Sequence, residues 1–152
     1  MAIPCLANTA ATFSVSRILG GERVLHARPR SAIDWIALVR KGIPAGAIAA
    51  VMQAVKVQQA ELSQALDIPE RTLIRRKKEG ILNQEESGKL LRLARVVERA
   101  AEVFEDDQAA LDWIKAENAS LGKATPLSML DTDLGAGAVM DTLGRIEQGV
   151  FA

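Results

Sequence analysis

Residues 57–80 read VQQAELSQALDIPERTLIRRKKEG, and this stretch decides the fold. Leu62, Leu66, Ile68 and Leu73 supply apolar contacts on either side of a break at Asp67 to Pro69. A proline disfavours helix in the residue before it and opens a helix more readily than it continues one. The pattern therefore predicts a helix, a tight turn and a second helix, with Ser63 as the small residue where the two cross. Asp67 occupies the turn position at which a left-handed backbone is needed and where glycine would be cheapest. Arg76 stands where such motifs often carry an apolar side chain.

The second helix gathers five cations within eight residues, Arg71, Arg75, Arg76, Lys77 and Lys78. At about 100° per residue, Arg71, Arg75 and Lys78 share one stripe, while Leu73 and Ile74 lie off it. A helix of this type enters the major groove of DNA by its N-terminal turns, so Glu70, Arg71, Thr72 and Arg75 are placed to approach base edges. Arg76, Lys77 and Lys78 suit phosphates. The plainer alternative is a solvated basic helix end favoured by the helix dipole.

The rest of the chain balances this charge. Residues 1–80 hold 12 Lys and Arg against 6 Asp and Glu, and residues 81–152 hold 7 against 13, so a formal net charge of zero conceals halves of +6 and −6. Such asymmetry is expected when one half meets a polyanion and the other does not. The 152 residues are 49% hydrophobic but only 3% aromatic. A core of Leu, Ile, Val and Ala favours packed helices over a β-sandwich, and the expected fold class is all-α.

Cys5 and His26 are the only cysteine and histidine. An intramolecular disulfide and a cysteine-built zinc site are excluded, most triads and His-ligated metals are out, and a reducing cytoplasm fits. No metal, no cofactor and no catalytic residue is expected, because a Gly-rich phosphate loop and a nucleophile beside a positioned base are both missing. Residues 42–55, GIPAGAIAAVMQAV, form the longest uncharged apolar run. They fall short of the ~20 residues needed to span a bilayer, and no membrane partner is expected. Residues 1–30 superficially resemble an organellar transit peptide; the reading taken is a floppy or DNA-touching arm.

Further helices follow from caps and periodicity. Ser31 with Asp34 starts one that Gly42 ends, and Pro44 opens another. Asn83 with Glu86 starts a long amphipathic helix carrying Leu90, Leu93, Val97, Ala101 and Phe104. Asp106 or Asp107 starts the next, with Trp113. Residues 118–123 break the chain, Thr125 and Pro126 start a further helix, and Met140, Leu143 and Ile146 pattern a last one stopped by Gly149, weakened by Gly135 and Gly137. The apolar end, Val150 and Phe151, calls for a surface to bury it.

At this point the residues resemble a family. IPERTLIRRKKEG, LNQEESGKLLRLARVVERA, VF with Trp113, SLGKATPLSMLDT and LGRIEQGVFA together look like an antitoxin of the Xre/MbcA/ParS type, the partner of RES-domain toxins. The resemblance spans residues 32–152 in order. Asn83 departs from the usual Ser cap, Lys123 from a second Gly, and Gln148 from His or Tyr. The resemblance implies a helix-turn-helix DNA-binding region over residues 31–80 and a helical toxin-binding and dimerisation domain over residues 81–152, after the arm of residues 1–30. It implies a homodimer that blocks the active site of an NAD-depleting RES toxin and represses its operon by binding operator DNA, without itself binding NAD. The toxin-binding positions carried over are Leu121, Thr125, Pro126, Leu127 and Leu130 with Arg145, Gly149, Val150 and Phe151. A packed loop-helix corner is the plainer reading of the first five, and a stand-alone dimeric repressor is the rival function. The long helix from Gln84 and the Trp113 region are the expected apolar surface for joining subunits.

Overall fold

The structure, a computed structural model, describes residues 12–149. Among them are helices and turns with no strand; Pro44 and Ile81 form an isolated antiparallel bridge. The chain divides into two compact units, residues 14–94 and residues 95–149 with Thr12 and Phe13.

The first unit begins with two short helices, α1 (Val15–Ile18) and α2 (Gly21–Leu25), then α3 (Ala32–Lys41), α4 (Gly46–Val55), α5 (Gln59–Leu66) and α6 (Glu70–Glu79). Ser14 caps α1 by accepting the Arg17 amide, and Val15, Ile18, Leu19 and Leu25 are buried as α1 and α2 pack on α4. Residues 14–25 are therefore core of this unit and not part of a free arm, a correction to the boundary expected at residue 30. Isolated turns of four and five residues are too short for periodicity to reveal. The first eleven residues, Cys5 included, lie outside the described residues.

Ser31 caps α3 as expected, its Oγ accepting the Asp34 amide at 3.2 Å. Trp35 of α3 is half-buried. Gly42 ends α3 at φ 109°, and a Cβ there would lie 2.5 Å from the Leu82 carbonyl oxygen, so the close approach of residues 42 and 82 requires glycine. The neighbouring Ile43 amide donates to the buried Ser87 hydroxyl at 2.8 Å. Ile43, Ile48, Val51, Val55, Leu62, Leu66, Leu73 and Leu90 fill the core.

The division between units falls at Ala94, inside α7 (Gln84–Phe104). Asn83 and Glu86 make the expected reciprocal cap: Glu86 N–H donates to Asn83 Oδ1 at 2.8 Å and Asn83 N–H to Glu86 Oε1 at 3.0 Å. Leu90, Leu93, Ala94, Val96, Val97, Ala100 and Ala101 are all buried within the chain. The apolar face expected to join subunits is thus already covered.

The second unit adds α8 (Asp107–Lys115), capped by Asp106, two single 3-10 turns at Ala119–Leu121 and Leu127–Met129, and α9 (Asp133–Glu147). Trp113 packs on Phe104 with ring centroids 5.8 Å apart. Asp107 accepts the amides of Thr12 and Phe13 at 3.0 and 3.2 Å, which holds the start of the described chain to α8. Thr132 caps α9 by accepting the Gly135 amide at 2.9 Å. The first two of the three glycines in α9, Gly135 and Gly137, differ in what they do. A Cβ on Gly135 would sit 2.0 Å from the Met129 carbonyl oxygen, whereas one on Gly137 would meet nothing within 4 Å.

The last turn of α9 is pinned. Arg99 Nη2 donates to Glu147 Oε1 at 2.6 Å and Nη1 to Oε2 at 3.1 Å, a two-pronged bond that also draws in Glu102 at 3.4 Å. The hydrogen bond from Arg99 holds the Glu147 carboxyl below its ordinary range.

Two expectations follow. Gly135→Ala should destabilise the protein by about 1–3 kcal/mol through overpacking against rigid backbone, while Gly137→Ala should stabilise it by about 0.5–1 kcal/mol through helix propensity; urea denaturation separates them. Because Glu147 has a depressed folded pKa, its contribution is complete at neutral pH and is lost as pH falls through and below the ordinary glutamate range. Melting temperatures scanned from pH 7 to pH 3 (roughly the carboxylate window) should fall less steeply for Arg99→Ala than for the wild type.

Candidate functional site

The turn between α5 and α6 is built from short polar bonds. Asp67 adopts φ 54°, the left-handed conformation that its position in the sequence predicts. Ile68 N–H donates to the Ser63 carbonyl at 3.1 Å, and the Ser63 hydroxyl donates back to the Ile68 carbonyl at 2.5 Å. Lys89 of α7 donates to the Asp67 carbonyl at 3.0 Å. Gln58 and Glu61 form a capping box at the start of α5, and Pro69 accepts the Thr72 and Leu73 amides at the start of α6. Leu62, Leu66, Ile68 and Leu73 are buried beneath, as their spacing predicts.

The cations of α6 have different occupations. Arg71 and Lys78 are exposed and have no hydrogen-bond or ion-pair partner among the described residues. Arg75 is exposed and only loosely paired, 3.7 Å from Glu79. Lys77 donates to Gln59 Oε1 at 2.8 Å, and Gln59 Nε2 donates to Glu70 at 3.3 Å. Thr72 is half-buried.

Arg76 is engaged inward. Its Nε donates to Glu86 Oε1 at 2.8 Å and its Nη1 to Glu79 at 2.8 Å, with Glu86 itself only 6% exposed. The Glu86 hydrogen bond, followed by that of Glu79, raises the guanidinium pKa above its ordinary value. The side chain that motif comparison would make apolar instead closes a polar junction between the end of α6 and the start of α7. The partner lies across a turn, ten residues on, where no single-helix periodicity reaches.

In the second unit, residues 118–130 form a corner closed on itself. Asn118 Oδ1 accepts the Ser120 amide at 2.8 Å, and Lys123, at φ 71°, returns its amide to the Asn118 carbonyl at 2.9 Å. Thr125 Oγ1 accepts the Ser128 amide at 3.2 Å. The helix expected from Thr125 is a single 3-10 turn. Pro126, Leu127 and Leu130 are buried inside the unit, whereas Leu121 and Thr125 are half-buried. The corner packs against α9 through both 3-10 turns.

The outer stripe of α9 is open. Leu134 is 87% exposed, and Asp141 and Arg145 follow two and three turns later on the same side, both exposed. Arg145 has no partner among the described residues. Gly149 follows at φ 76°, one residue past the helix cap; Val150 and Phe151 lie outside the described residues. The apolar pattern of this segment does not single out Leu134. Its only signal is that it falls one position out of step with the buried series Gly135, Val139 and Thr142.

Among the described residues no group of three or more metal-ligating side chains comes together, and no helix is long and apolar enough to cross a membrane.

Comparison with known proteins matches both units. The family model described as the antitoxin Xre-like helix-turn-helix domain covers residues 34–95, and that of the antitoxin Xre/MbcA/ParS C-terminal toxin-binding domain covers residues 99–149. An Antitoxin Xre of Yersinia enterocolitica is 34% identical over 116 residues, covering 75% of this chain and 78% of the relative. One of Photorhabdus laumondii is 32% identical over 118 residues, covering 76% and 80%. A Sphingobium protein named Prs ADP-ribosylating antitoxin is 26% identical over 132 residues, covering 80% and 83%. In fold the chain is similar to a chain of the Mycobacterium tuberculosis MbcT-MbcA toxin-antitoxin complex, with a TM-score of 0.54 and 23% identity over 71% of this chain and 96% of that one. A helix-turn-helix unit followed by a toxin-binding unit, with a relative more than 30% identical over three quarters of the sequence, shows that the chain belongs to the Xre/MbcA/ParS family of antitoxins.

Proposed function

We propose that the chain neutralises a cytoplasmic RES-domain toxin by occluding its NAD site, and that as a homodimer it represses its own operon through α6, with no catalytic activity of its own. The observation that carries the toxin half of this reading is the pinned end of α9. Arg99 and Glu147 tie the last turn of α9 to α7, which fixes the helix that carries the exposed stripe of Leu134 and Arg145. The name of the Sphingobium relative joins an antitoxin with ADP-ribosylation, chemistry that consumes NAD, and this supports a toxin of the NAD-using class.

In this reading Arg145 pairs a polar or acidic group at the rim of the toxin's site, Leu121, Thr125 and Gly149 border it, and Val150 and Phe151 fill its mouth. Pro126, Leu127 and Leu130 act from behind, by shaping the corner on which α9 rests. Blocking is steric, so the antitoxin needs no cofactor. Burial of Val150 and Phe151 contributes about 1.5–3 kcal/mol for each side chain, less the cost of ordering the end.

For DNA, the unpartnered Arg71 and Lys78 and the loosely paired Arg75 are the cations free to meet it, with Glu70 and Thr72 in the first turn and Lys77 at the margin. Arg76 is assigned to the fold. A homodimer supplies two such helices, matching half-sites one helical turn apart.

Two measurements test these halves separately. Deleting residues 149–152 should release NAD consumption by the co-expressed RES toxin while operator binding stays intact; complete silencing by the truncated chain at equal concentration would remove the tail from the mechanism. In mobility shifts on the operon's promoter, Arg71→Ala should weaken specific binding by about 1–3 kcal/mol and Lys78→Ala should flatten the salt slope by ~1. Arg76→Ala should act differently, lowering thermal stability by leaving Glu86 buried without its cationic partner.

A further inference from the structure

Glu70 stands apart on α6, an exposed carboxylate in the first turn of a helix whose five cations share only one other acidic residue, Glu79 in the last turn. Close to DNA it is repelled by phosphates, so its presence there needs either a structural reason or a donor to accept from. Its surroundings point to the second. The Gln59 side chain at the start of α5 is oriented at both ends, with its oxygen accepting from Lys77 at 2.8 Å and its amide nitrogen donating to Glu70 Oε1 at 3.3 Å. The Glu70 carboxylate is thereby steadied from a second helix, and its Oε2 has no hydrogen-bond partner among the described residues.

We propose that Glu70 is a specificity-determining residue that reads one cytosine in each half-site by accepting a hydrogen bond from its exocyclic amine. This rests on the reading of α6 as the DNA-contacting helix. The major groove offers two donors, the N4 amine of cytosine and the N6 amine of adenine. Beside the adenine amine lies N7, an acceptor that repels a carboxylate; beside the cytosine amine lies only a C–H edge. A carboxylate therefore selects cytosine, while the isosteric amide, which donates as well as accepts, selects adenine by bonding N6 and N7 together. Gln59 keeps the carboxylate pointed, and Lys77, through Gln59, offsets its charge toward the nearby phosphates.

The test uses full-length wild type, Glu70→Gln and Gln59→Ala, each selecting from a pool of random DNA duplexes, followed by sequencing. The expected result is a wild-type consensus with cytosine at one position of each half-site, replaced by adenine for Glu70→Gln, with about a tenfold or greater loss on the wild-type consensus duplex. Gln59→Ala should keep the consensus with weaker discrimination at that position alone. If Glu70 served only to offset the helix dipole, Glu70→Gln would select the wild-type consensus unchanged. That outcome overturns the inference and leaves α6 as the DNA-contacting helix. If the wild type enriches no sequence, the reading of α6 fails, and this inference with it.

Discussion

The first unit depends on one buried carboxylate. Glu86 cannot be left charged in the interior without partners, and it takes them from two directions: the Arg76 side chain at the end of α6 and the Asn83 amide just before α7. One group therefore caps a helix and ties the preceding helix to it. With Gly80 ending α6 at φ 92° and Ile81 bridging back to Pro44, the chain has little freedom between Glu79 and Gln84. The direction of Arg71, Arg75 and Lys78 follows from that closure. So does the sacrifice of one cation, Arg76, which a count of charges alone would assign to DNA.

What was legible in the sequence was what depends on neighbours within about one helical turn. Ser31 and Asn83 cap where their spacing to Asp34 and Glu86 predicts, and of the two candidates Asp106 and Asp107 it is Asp106 that caps α8, by accepting the Ala109 amide. Asp67 takes the left-handed turn, and Leu62, Leu66, Ile68 and Leu73 are buried. These are local rules, and a single chain displays them without tertiary knowledge. The family resemblance drawn from the longer words agrees with the two domains matched over residues 34–95 and 99–149.

What was not legible depends on contacts made across the sequence. Residues 14–25 read as an arm because two helices of one turn each carry no measurable period; only packing on α4 gives them order. From the sequence Arg76 reads as a phosphate contact, because its partner Glu86 lies beyond a turn. The corner at residues 118–130 supplies apolar residues in a pattern that would serve an interface or a core equally, and the structure turns Pro126, Leu127 and Leu130 inward. By helix propensity alone Gly135 is a weak point within a helix. It is where the helix comes against the Met129 carbonyl, a constraint that only the folded chain reveals.

The aromatic poverty of the chain has an optical consequence. It contains no tyrosine and two tryptophans, so its intrinsic fluorescence comes from Trp35 and Trp113 alone. One indole lies in each compact unit, half-buried on α3 in the first and stacked near Phe104 in the second. Replacing either with phenylalanine leaves an emission signal that belongs to a single unit. The two halves of this antitoxin thus carry separate built-in reporters, one for events at the helix-turn-helix and one for events at the toxin-binding unit, without any attached dye.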